Sequence, residues 1–298
     1  MADASVIVAQ VMFGLIRGIL LGCVFALIAL GLNLIWGIAK VVNIAHGEFV
    51  MLGAYGAYFL NLFLGFNPLV AAPIDAALGL AAGLGFYFAI LHWELRGKEA
   101  ITLQSEMVTL VATFGLSLFI GNAANLLFTG NFVGIPFDAG SFDLGFMQVP
   151  LAGVYVAALS FGVIYLTHVF LNRTYLGGAI RAYSQDIPAA QLMGINPTAV
   201  AAIGTGIGFA VTMAGGAFLT TLFPTGINPY MGALYAPISY VIVVLGGPGK
   251  MWGSLVGGLT LGILIDVGQI FLGVELAYAA AFLILIPVLL LRPEGILR

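Results

Sequence analysis

Nine long apolar runs dominate this chain of 298 residues. Each is long enough, or nearly so, to cross the roughly 30 Å hydrocarbon core of a bilayer as a helix. The runs cover residues 6–36, 47–64, 69–92, 107–129, 149–171, 198–223, 234–245, 252–272 and 276–291. Only 7% of the residues are charged, whereas an average soluble protein carries about 25%. Lipid must therefore be the solvent for most of the exterior, and the sequence predicts an all-α, polytopic transmembrane helical bundle.

The number of crossings depends on one short run. Residues 234–245 end in Gly246-Gly247-Pro248-Gly249, a pattern typical of a re-entrant or broken segment. The chain also has 41 glycines and 12 prolines, which favour close helix packing and interrupted helices of the kind that transporters contain. This composition does not exclude a channel. We predict eight or nine spans, with broken or re-entrant segments.

The basic residues predict the orientation of the bundle, because Lys and Arg concentrate in cytoplasmic connections. They fall in alternate connections, which hold Lys40, Arg96, Lys98, Arg173, Arg181, Lys250, Arg292 and Arg298. The connection 130–148 has Asp138 and Asp143 and no basic residue. Nine crossings therefore place the N-terminus outside and the C-terminus in the cytoplasm. Arg17 does not fit this pattern, and we expect the first helix to bend near it so that its side chain reaches an interface.

Several function classes are excluded by what the sequence lacks. A net charge of −3 without a basic run does not favour nucleic-acid binding. A single cysteine and three scattered histidines provide neither a disulfide nor a metal-binding spacing. No G-x-x-x-x-G-K-[ST] motif is present to bind ATP phosphates, and no nucleophile elbow or acid–base pair stands out. We therefore expect a protein that is not an enzyme by itself and that holds no metal.

The longest polar stretch on the predicted cytoplasmic side is residues 172–197. Asp186 followed by Pro188 is typical of a helix start, Gly194 stands where a helix C-cap belongs, and Pro197 blocks continuation. The pattern predicts a short amphipathic helix within residues 179–194. Spacing alone leaves open whether this helix docks on a partner or is a solvated connector.

Three blocks of the sequence and its C-terminal end resemble one family of transport proteins. The stretch Arg181-Ala182…Gln185-Asp186…Ala189-Ala190…Leu192-Met193-Gly194-Ile195-Asn196 is similar to the coupling loop of ABC importer permeases. Its variant resembles that of permeases of branched-chain amino acid importers of the LivH type. The block made of ALIALGLN at residues 26–33 and VNIAHGEFVMLGAY at residues 42–55, and the glycine-rich block at residues 245–258, resemble the same family. The ending at residues 292–297 is similar to the tail of that family. The resemblance spans residues 26–297.

The resemblance implies a permease subunit of an ATP-driven importer for branched-chain or other hydrophobic amino acids in the bacterial inner membrane. The partners it implies are a second homologous permease, two ABC ATPase subunits and a periplasmic substrate-binding protein. It implies one permease domain over residues 1–298, no cofactor on this chain because ATP is bound by the partner subunits, and a coupling segment at residues 173–197. The coupling residues would be Arg181, Asp186, Ala189, Ala190, Leu192, Met193, Gly194 and Ile195.

Other readings of the function remain open on the sequence. Related permeases carry urea or short amides, so the substrate is not determined, nor is pairing with a second copy as opposed to a homologue. A self-contained secondary transporter or a channel would need ion-coupling residues or a selectivity constriction within this one chain. Asp266, Glu48 and Asp75 are acids in apolar runs that could serve in ion coupling.

Two groups of residues are candidates for the substrate path. Asn43, His46 and Glu48 form the densest polar cluster beside an apolar run, and they either line the path or cap a broken helix near the cytoplasmic interface. Thr205, Gly208, Thr212 and Gly215 lie on one helix face and form either part of the path or a close helix contact.

Two further pairs of polar residues lie three positions apart in apolar runs. Asp266 and Gln269 are expected to be paired structurally, and Asn122 and Asn125 to lie near the outer end of their run.

Overall fold

The computed structural model describes residues 2–96, 102–143, 145, 147–292 and 295–296, with the backbone alone for residues 2–5. The basic residues Lys98 and Arg298 lie outside the described residues, as do three positions of the family-like tail, Pro293, Glu294 and Leu297. The helices of the described part are α1 (Ala2–Ala39), α2 (His46–Leu64), α3 (Pro68–Phe86), α4 (His92–Leu95), α5 (Leu103–Phe128), α6 (Leu151–Arg173), α7 (Tyr175–Gln185), α8 (Ile187–Leu192), α9 (Pro197–Leu222), α10 (Met231–Gly246), α11 (Met251–Leu272), α12 (Val274–Leu283) and α13 (Leu285–Leu291).

Eight helical segments of the described chain are long and apolar enough to cross a membrane. One joins α3 to α4 through a π-helical turn at Tyr87–Leu91, and another joins α12 to α13. Helix α10 has 16 residues, about 24 Å at 1.5 Å per residue, which is shorter than the hydrocarbon core. The predicted helical bundle of eight or nine spans is confirmed, and the protein is a multi-pass membrane protein.

A small β-hairpin lies in the connection between α5 and α6. Strands β1 (Ser141–Asp143) and β2 (Gln148–Pro150) pair antiparallel, with Phe142 opposite Val149. The sequence was not predicted to contain strands, because three-residue strands leave no periodic pattern to detect. The hairpin is outside the spanning helices and does not change the fold class.

The helix that holds Arg17 is unbroken, and the expected bend near this residue stays a prediction. Helix α1 is helical without interruption over its 38 residues, about 57 Å. The Arg17 guanidinium lies 3.6 Å from a carboxylate oxygen of Asp266 on α11, and its side chain remains 46% exposed. A lateral ion pair therefore accompanies the partial exposure of Arg17, and the partner expected for Asp266 is this arginine.

Helices α1 and α9 form the centre of the bundle, and glycines bring neighbouring helices into backbone contact with them. A Cβ atom added at Gly22 of α1 would lie 2.8 Å from Cα of Leu259 on α11. A Cβ atom added at Gly258 would lie 2.6 Å from the backbone nitrogen of Ala26 on α1. Small residues permit this approach, which increases dispersion contacts where lipid gives no hydrophobic driving force.

Asn33 of α1 holds the glycine-rich turn between α10 and α11. Its amide nitrogen donates to the Lys250 carbonyl and to the Ser254 hydroxyl, both at 2.8 Å. Its amide oxygen accepts from the Gly249 N–H at 2.5 Å. The backbone of Gly249 has a φ of +79°, a conformation that glycine adopts without steric cost. One buried side chain therefore binds both a backbone N–H and a backbone carbonyl at this turn.

Helix α2 begins inside the packed bundle. After α1 ends, a non-helical segment returns inward, where the Ile44 N–H donates to the Thr113 hydroxyl at 3.2 Å. Thr113 lies about 15 Å along α5 from its start. His46, at the start of α2, has the backbone of Ile28 as a hydrogen-bond partner. Ile28 is about 16 Å before the end of α1. The predicted break between α1 and α2 is thus present, and the position of its start relative to the cytoplasmic interface stays a prediction.

Candidate functional site

The polar segment between α6 and α9 folds into two helices where one was predicted. Asp186 has an extended backbone that ends α7, and its side chain accepts from the Ala189 N–H at 2.9 Å to cap α8. A continuous helix is disfavoured here because Pro188 lacks an N–H and its ring would clash with the carbonyl four residues earlier. The predicted helix start at Asp186 with proline in the first turn is confirmed.

The end of α8 has the predicted glycine cap. Gly194 has a φ of +80°, and its N–H donates to the Gln191 carbonyl at 2.9 Å. The N–H of Ile195 donates to the Ala190 carbonyl at 3.1 Å. These two hydrogen bonds define a Schellman motif, in which the glycine occupies the left-handed position. Both ends of this short helix are therefore specified by local hydrogen bonds.

The capped end of α8 presents apolar side chains away from the rest of the chain. Leu192 is 89% exposed and Met193 is 80% exposed. Of the other residues predicted for coupling, Arg181, Asp186, Ala189 and Gly194 are exposed, Ile195 is half-buried and Ala190 is buried. We call the pair Leu192 and Met193 the apolar tip. The exposure of two large apolar residues on a rigidly capped helix is typical of a protein–protein contact.

The predicted polar cluster at the start of α2 is divided by the fold. Asn43 and His46 are buried, and both amide atoms of Asn43 and the Nε2 atom of His46 have no hydrogen-bond partner among the described residues. They lie within the packed bundle. Glu48 alone of the three lines a cleft. The cluster is thus partly a buried helix start and partly a cleft wall.

The small-residue stripe of α9 packs against neighbouring helices. A Cβ atom added at Gly208 would lie 2.7 Å from the Ile35 side chain, and one added at Gly215 would lie 2.5 Å from Ile28, both on α1. The Thr212 hydroxyl donates to the Gly208 carbonyl at 2.8 Å, and Thr205 is fully buried. This geometry favours the close-contact interpretation of the stripe.

A cleft of about 490 Å³ lies between α2, α5 and α10. Three of its rim residues, Phe114, Leu118 and Tyr230, are exposed by half or more. Most of its wall is apolar or small, with a few polar groups, as is usual for small-molecule sites. The lining residues are Ile44, Glu48, Phe114, Ser117, Leu118, Gly121, Asn122, Asn125, Pro229, Tyr230, Gly232, Ala233, Ala236, Pro237 and Tyr240.

Part of the cleft lining was predicted from the sequence, and the rest was not. Glu48 and the pair Asn122 and Asn125 were singled out because polar residues in apolar runs are costly unless they serve a purpose. Ser117 and the wall from α10 were missed. An isolated serine carries no such signal, and residues of α10 such as Ala236 belong to an apolar run with no polar landmark.

Glu48 is the one charged residue in the described lining of the cleft. Its Oε1 atom accepts a hydrogen bond from the Ser117 hydroxyl at 3.1 Å, and its Oε2 atom is buried without a hydrogen-bond partner among the described residues. Glycines flank the carboxylate on two sides. A Cβ atom added at Gly121 would lie 3.6 Å from Oε2, and one added at Gly232 would lie 2.5 Å from it. Gly232 therefore packs directly against the carboxylate, and the side toward Gly121 keeps an ordinary van der Waals separation.

Comparison with known proteins finds the same family over nearly the whole chain. The family described as "Branched-chain amino acid transport system / permease component" matches residues 14–291. The chain is 31% identical to the high-affinity branched-chain amino acid transport system permease protein BraD of Pseudomonas aeruginosa, over 95% of this chain and 94% of the relative. It is 29% identical to the permease protein LivH of Escherichia coli K12, over 94% and 93% of the two chains.

A more distant relative is the permease protein LivM of Escherichia coli K12. It is 25% identical to this chain over 92% of the chain and 68% of the relative. The family match over residues 14–291 includes the segments that build the cleft and the apolar tip. Together with the similarity to BraD, it shows that this chain belongs to the family of permease components of branched-chain amino acid transport systems.

Proposed function

We propose that this chain is the membrane-spanning permease subunit of an ATP-driven importer for branched-chain or other hydrophobic amino acids. It resides in the bacterial inner membrane and forms the translocation path with a second, homologous permease. Two cytoplasmic ABC ATPase subunits supply ATP hydrolysis, and a periplasmic binding protein delivers the amino acid. The named functions of BraD, LivH and LivM support the substrate class.

The observation that carries this proposal is the apolar tip. Leu192 and Met193 are among the most exposed large apolar residues of the described chain, and they end a helix outside the spanning segments. Burying one such side chain in a partner contributes about 1.5–3 kcal/mol. An ATPase surface that covers the tip would gain this energy and would move α8 directly. The caps at Asp186 and Gly194 make the helix stiff enough to transmit that movement.

The cleft between α2, α5 and α10 is the best candidate for this subunit's half of the path. Its rim residues Phe114 and Leu118 face away from the rest of the chain. A second permease placed against α5 would close the cleft into a channel-like space. An amino acid needs both apolar surface for its side chain and polar groups for its charged ends, and this cleft supplies both.

The experiment is ATP-dependent uptake of radiolabelled leucine by the complete importer in proteoliposomes. The double variant Leu192→Ser with Met193→Ser should lower uptake at least tenfold and weaken co-purification of the ATPases. The matched control is Val274→Ser with Leu276→Ser, which removes two exposed apolar side chains from the opposite end of the bundle. The control should import leucine at the wild-type rate.

Three outcomes would contradict the proposal. Normal uptake and normal ATPase co-purification in the tip variant would show that coupling lies elsewhere. Uptake by this chain alone, driven by an ion gradient without ATP, would support the secondary transporter instead. Uptake of urea in preference to leucine by the complete importer would reject the amino acid as substrate.

A further inference from the structure

We propose that Glu48 binds the ammonium group of the transported amino acid within the cleft between α2, α5 and α10. This inference rests on the proposed function, because it assigns the cleft to the substrate path. It adds a specific ligand contact and the orientation of the substrate. The contact is made by Oε2 of the carboxylate.

Glu48 has unused hydrogen-bonding capacity at the wall of the cleft. Its side chain is 6% exposed, and Oε2 has no hydrogen-bond partner among the described residues although the residue lines the cleft. A buried carboxylate oxygen without a partner is costly, and more so within a membrane. A ligand that donates hydrogen bonds to Oε2 removes that cost.

Two features of the site stabilise the negative charge of the Glu48 carboxylate. Glu48 lies in the first turn of α2, where the positive end of the helix dipole stabilises an anion. The Ser117 hydroxyl donates to Oε1 at 3.1 Å, and hydrogen bonds to an ionised acceptor are stronger than neutral ones. One oxygen is therefore held by the protein, and the other remains for a cation.

The charges that line the cleft indicate the chemistry of the ligand. No lysine, arginine or histidine is among the described residues that line the cleft, so the negative charge of Glu48 has no cation beside it there. A primary ammonium group provides three N–H donors and a positive charge, and it pairs with a carboxylate by a charge-assisted hydrogen bond. An uncharged amide such as urea could donate hydrogen bonds to the carboxylate but would bring no positive charge to neutralise it.

Glycine on α5 leaves space beside the Glu48 carboxylate. A Cβ atom added at Gly121 would lie 3.6 Å from Oε2 and meet no closer atom, whereas Gly232 of α10 packs directly against the carboxylate. A substrate whose ammonium group lies against Glu48 would place its own carboxylate away from that charge, because like charges repel. Its apolar side chain can then contact Phe114 and Leu118 on the cleft wall.

The first test is leucine uptake by the complete importer carrying single substitutions. Glu48→Gln keeps an acceptor for Ser117 but removes the charge, and it should lower uptake at least tenfold in a complex that still assembles. Glu48→Asp keeps the charge and should retain more uptake than Glu48→Gln. Ser117→Ala keeps the carboxylate and should lower uptake less than threefold. Glu275→Gln, which neutralises an exposed acid outside the cleft, is the matched control.

Each alternative outcome of this test is decisive. Wild-type uptake by Glu48→Gln, or equal loss in the aspartate and glutamine variants, would overturn the role of the charge. A loss in Ser117→Ala as large as that in Glu48→Gln would show that the pair is only a structural contact. A wild-type importer that carries no leucine would instead reject the proposed function, and would do so without any variant.

A second test measures the charge in the cleft without relying on uptake or on a Glu48 variant. Asn122→Cys, in a Cys23→Ala background, places one thiol in the cleft. Its reaction rates with a cationic trimethylammonioethyl and an anionic sulfonatoethyl methanethiosulfonate are compared with those of Gln185→Cys, which is exposed outside the cleft. The ratio of cationic to anionic rate should be at least threefold higher in the cleft. An equal ratio at the two sites would overturn the proposal.

Discussion

The guanidinium of Arg17 on α1 lies 3.6 Å from the carboxylate of Asp266 on α11. The two residues are far apart in sequence, and their helices are held in register by the glycine contacts that bring α1 and α11 together. Arg17 also lies over the ring of Phe13, 5.6 Å from its centroid, a distance at which a cation–π interaction contributes. Hydropathy alone makes a charged residue within a spanning helix unfavourable. Here the charges of Arg17 and Asp266 neutralise each other.

This ion pair predicts a measurable coupling between two single variants. Arg17→Met and Asp266→Asn should each lower the thermal stability of the purified protein. The double variant should be more stable than the sum of the two losses predicts. We expect a coupling energy of about 1 kcal/mol, as is usual for residues in direct contact. Additive losses in the thermal-shift cycle would show that the pair contributes nothing.

The glycine contacts predict opposite effects for two glycine-to-alanine changes in spanning helices. Gly258→Ala would place a Cβ atom 2.6 Å from the backbone of Ala26, and the overlap should cost about 1–3 kcal/mol. Gly162→Ala meets no atom within 4 Å and should be neutral or stabilising by up to about 1 kcal/mol, because alanine favours the helix. Thermal unfolding followed by size-exclusion chromatography measures both. Equal effects would mean that α1 and α11 are less closely packed than described.

The helices were predictable from the sequence because lipid imposes a length and a polarity on each spanning segment. The caps of α8 were predictable for a similar reason, since Asp186, Pro188 and Gly194 act on their own neighbours. The cleft was not predictable, because Glu48 and Ser117 come from separate helices and only tertiary packing brings them together. The role of the small-residue stripe that contains Gly208 could not be predicted either, because small residues are found both along a substrate path and in close helix contacts.

The glycine cap of α8 predicts that coupling depends on backbone conformation at one position. Gly194 has no atom within 4 Å of an added Cβ, but its φ is +80°. Gly194→Ala should therefore cost about 1 kcal/mol through the left-handed conformation alone and should lower ATP-dependent uptake. Gly178→Ala, in α7, also meets no atom within 4 Å and has no positive φ. Uptake that is equally affected by both changes would contradict a specific role for the cap.

The alternation of basic residues predicts opposite sides for two exposed positions. Ser141 lies in the β-hairpin between α5 and α6, and Gln185 lies at the end of α7. Single cysteines at these positions, in a Cys23→Ala background, should react with a membrane-impermeant maleimide from opposite sides. Ser141→Cys should be labelled in intact spheroplasts, and Gln185→Cys only after lysis. Labelling of both in intact spheroplasts would overturn the predicted orientation.

The location of the path predicts different failures for two bulky substitutions. Gly121→Leu would project into the cleft, where an added Cβ atom is 3.6 Å from Glu48 and meets no closer atom. The importer should assemble, and leucine uptake should fall at least tenfold because the cleft is filled.

Gly208→Leu would force a side chain against Ile35 and the Gly31 carbonyl, at 2.7 and 2.9 Å from the added Cβ. This variant should lose assembled complex on size-exclusion chromatography, because α1 and α9 are separated. If Gly208→Leu instead assembled normally without importing leucine, while Gly121→Leu imported it at the wild-type rate, the path would follow the α9 stripe and not the cleft.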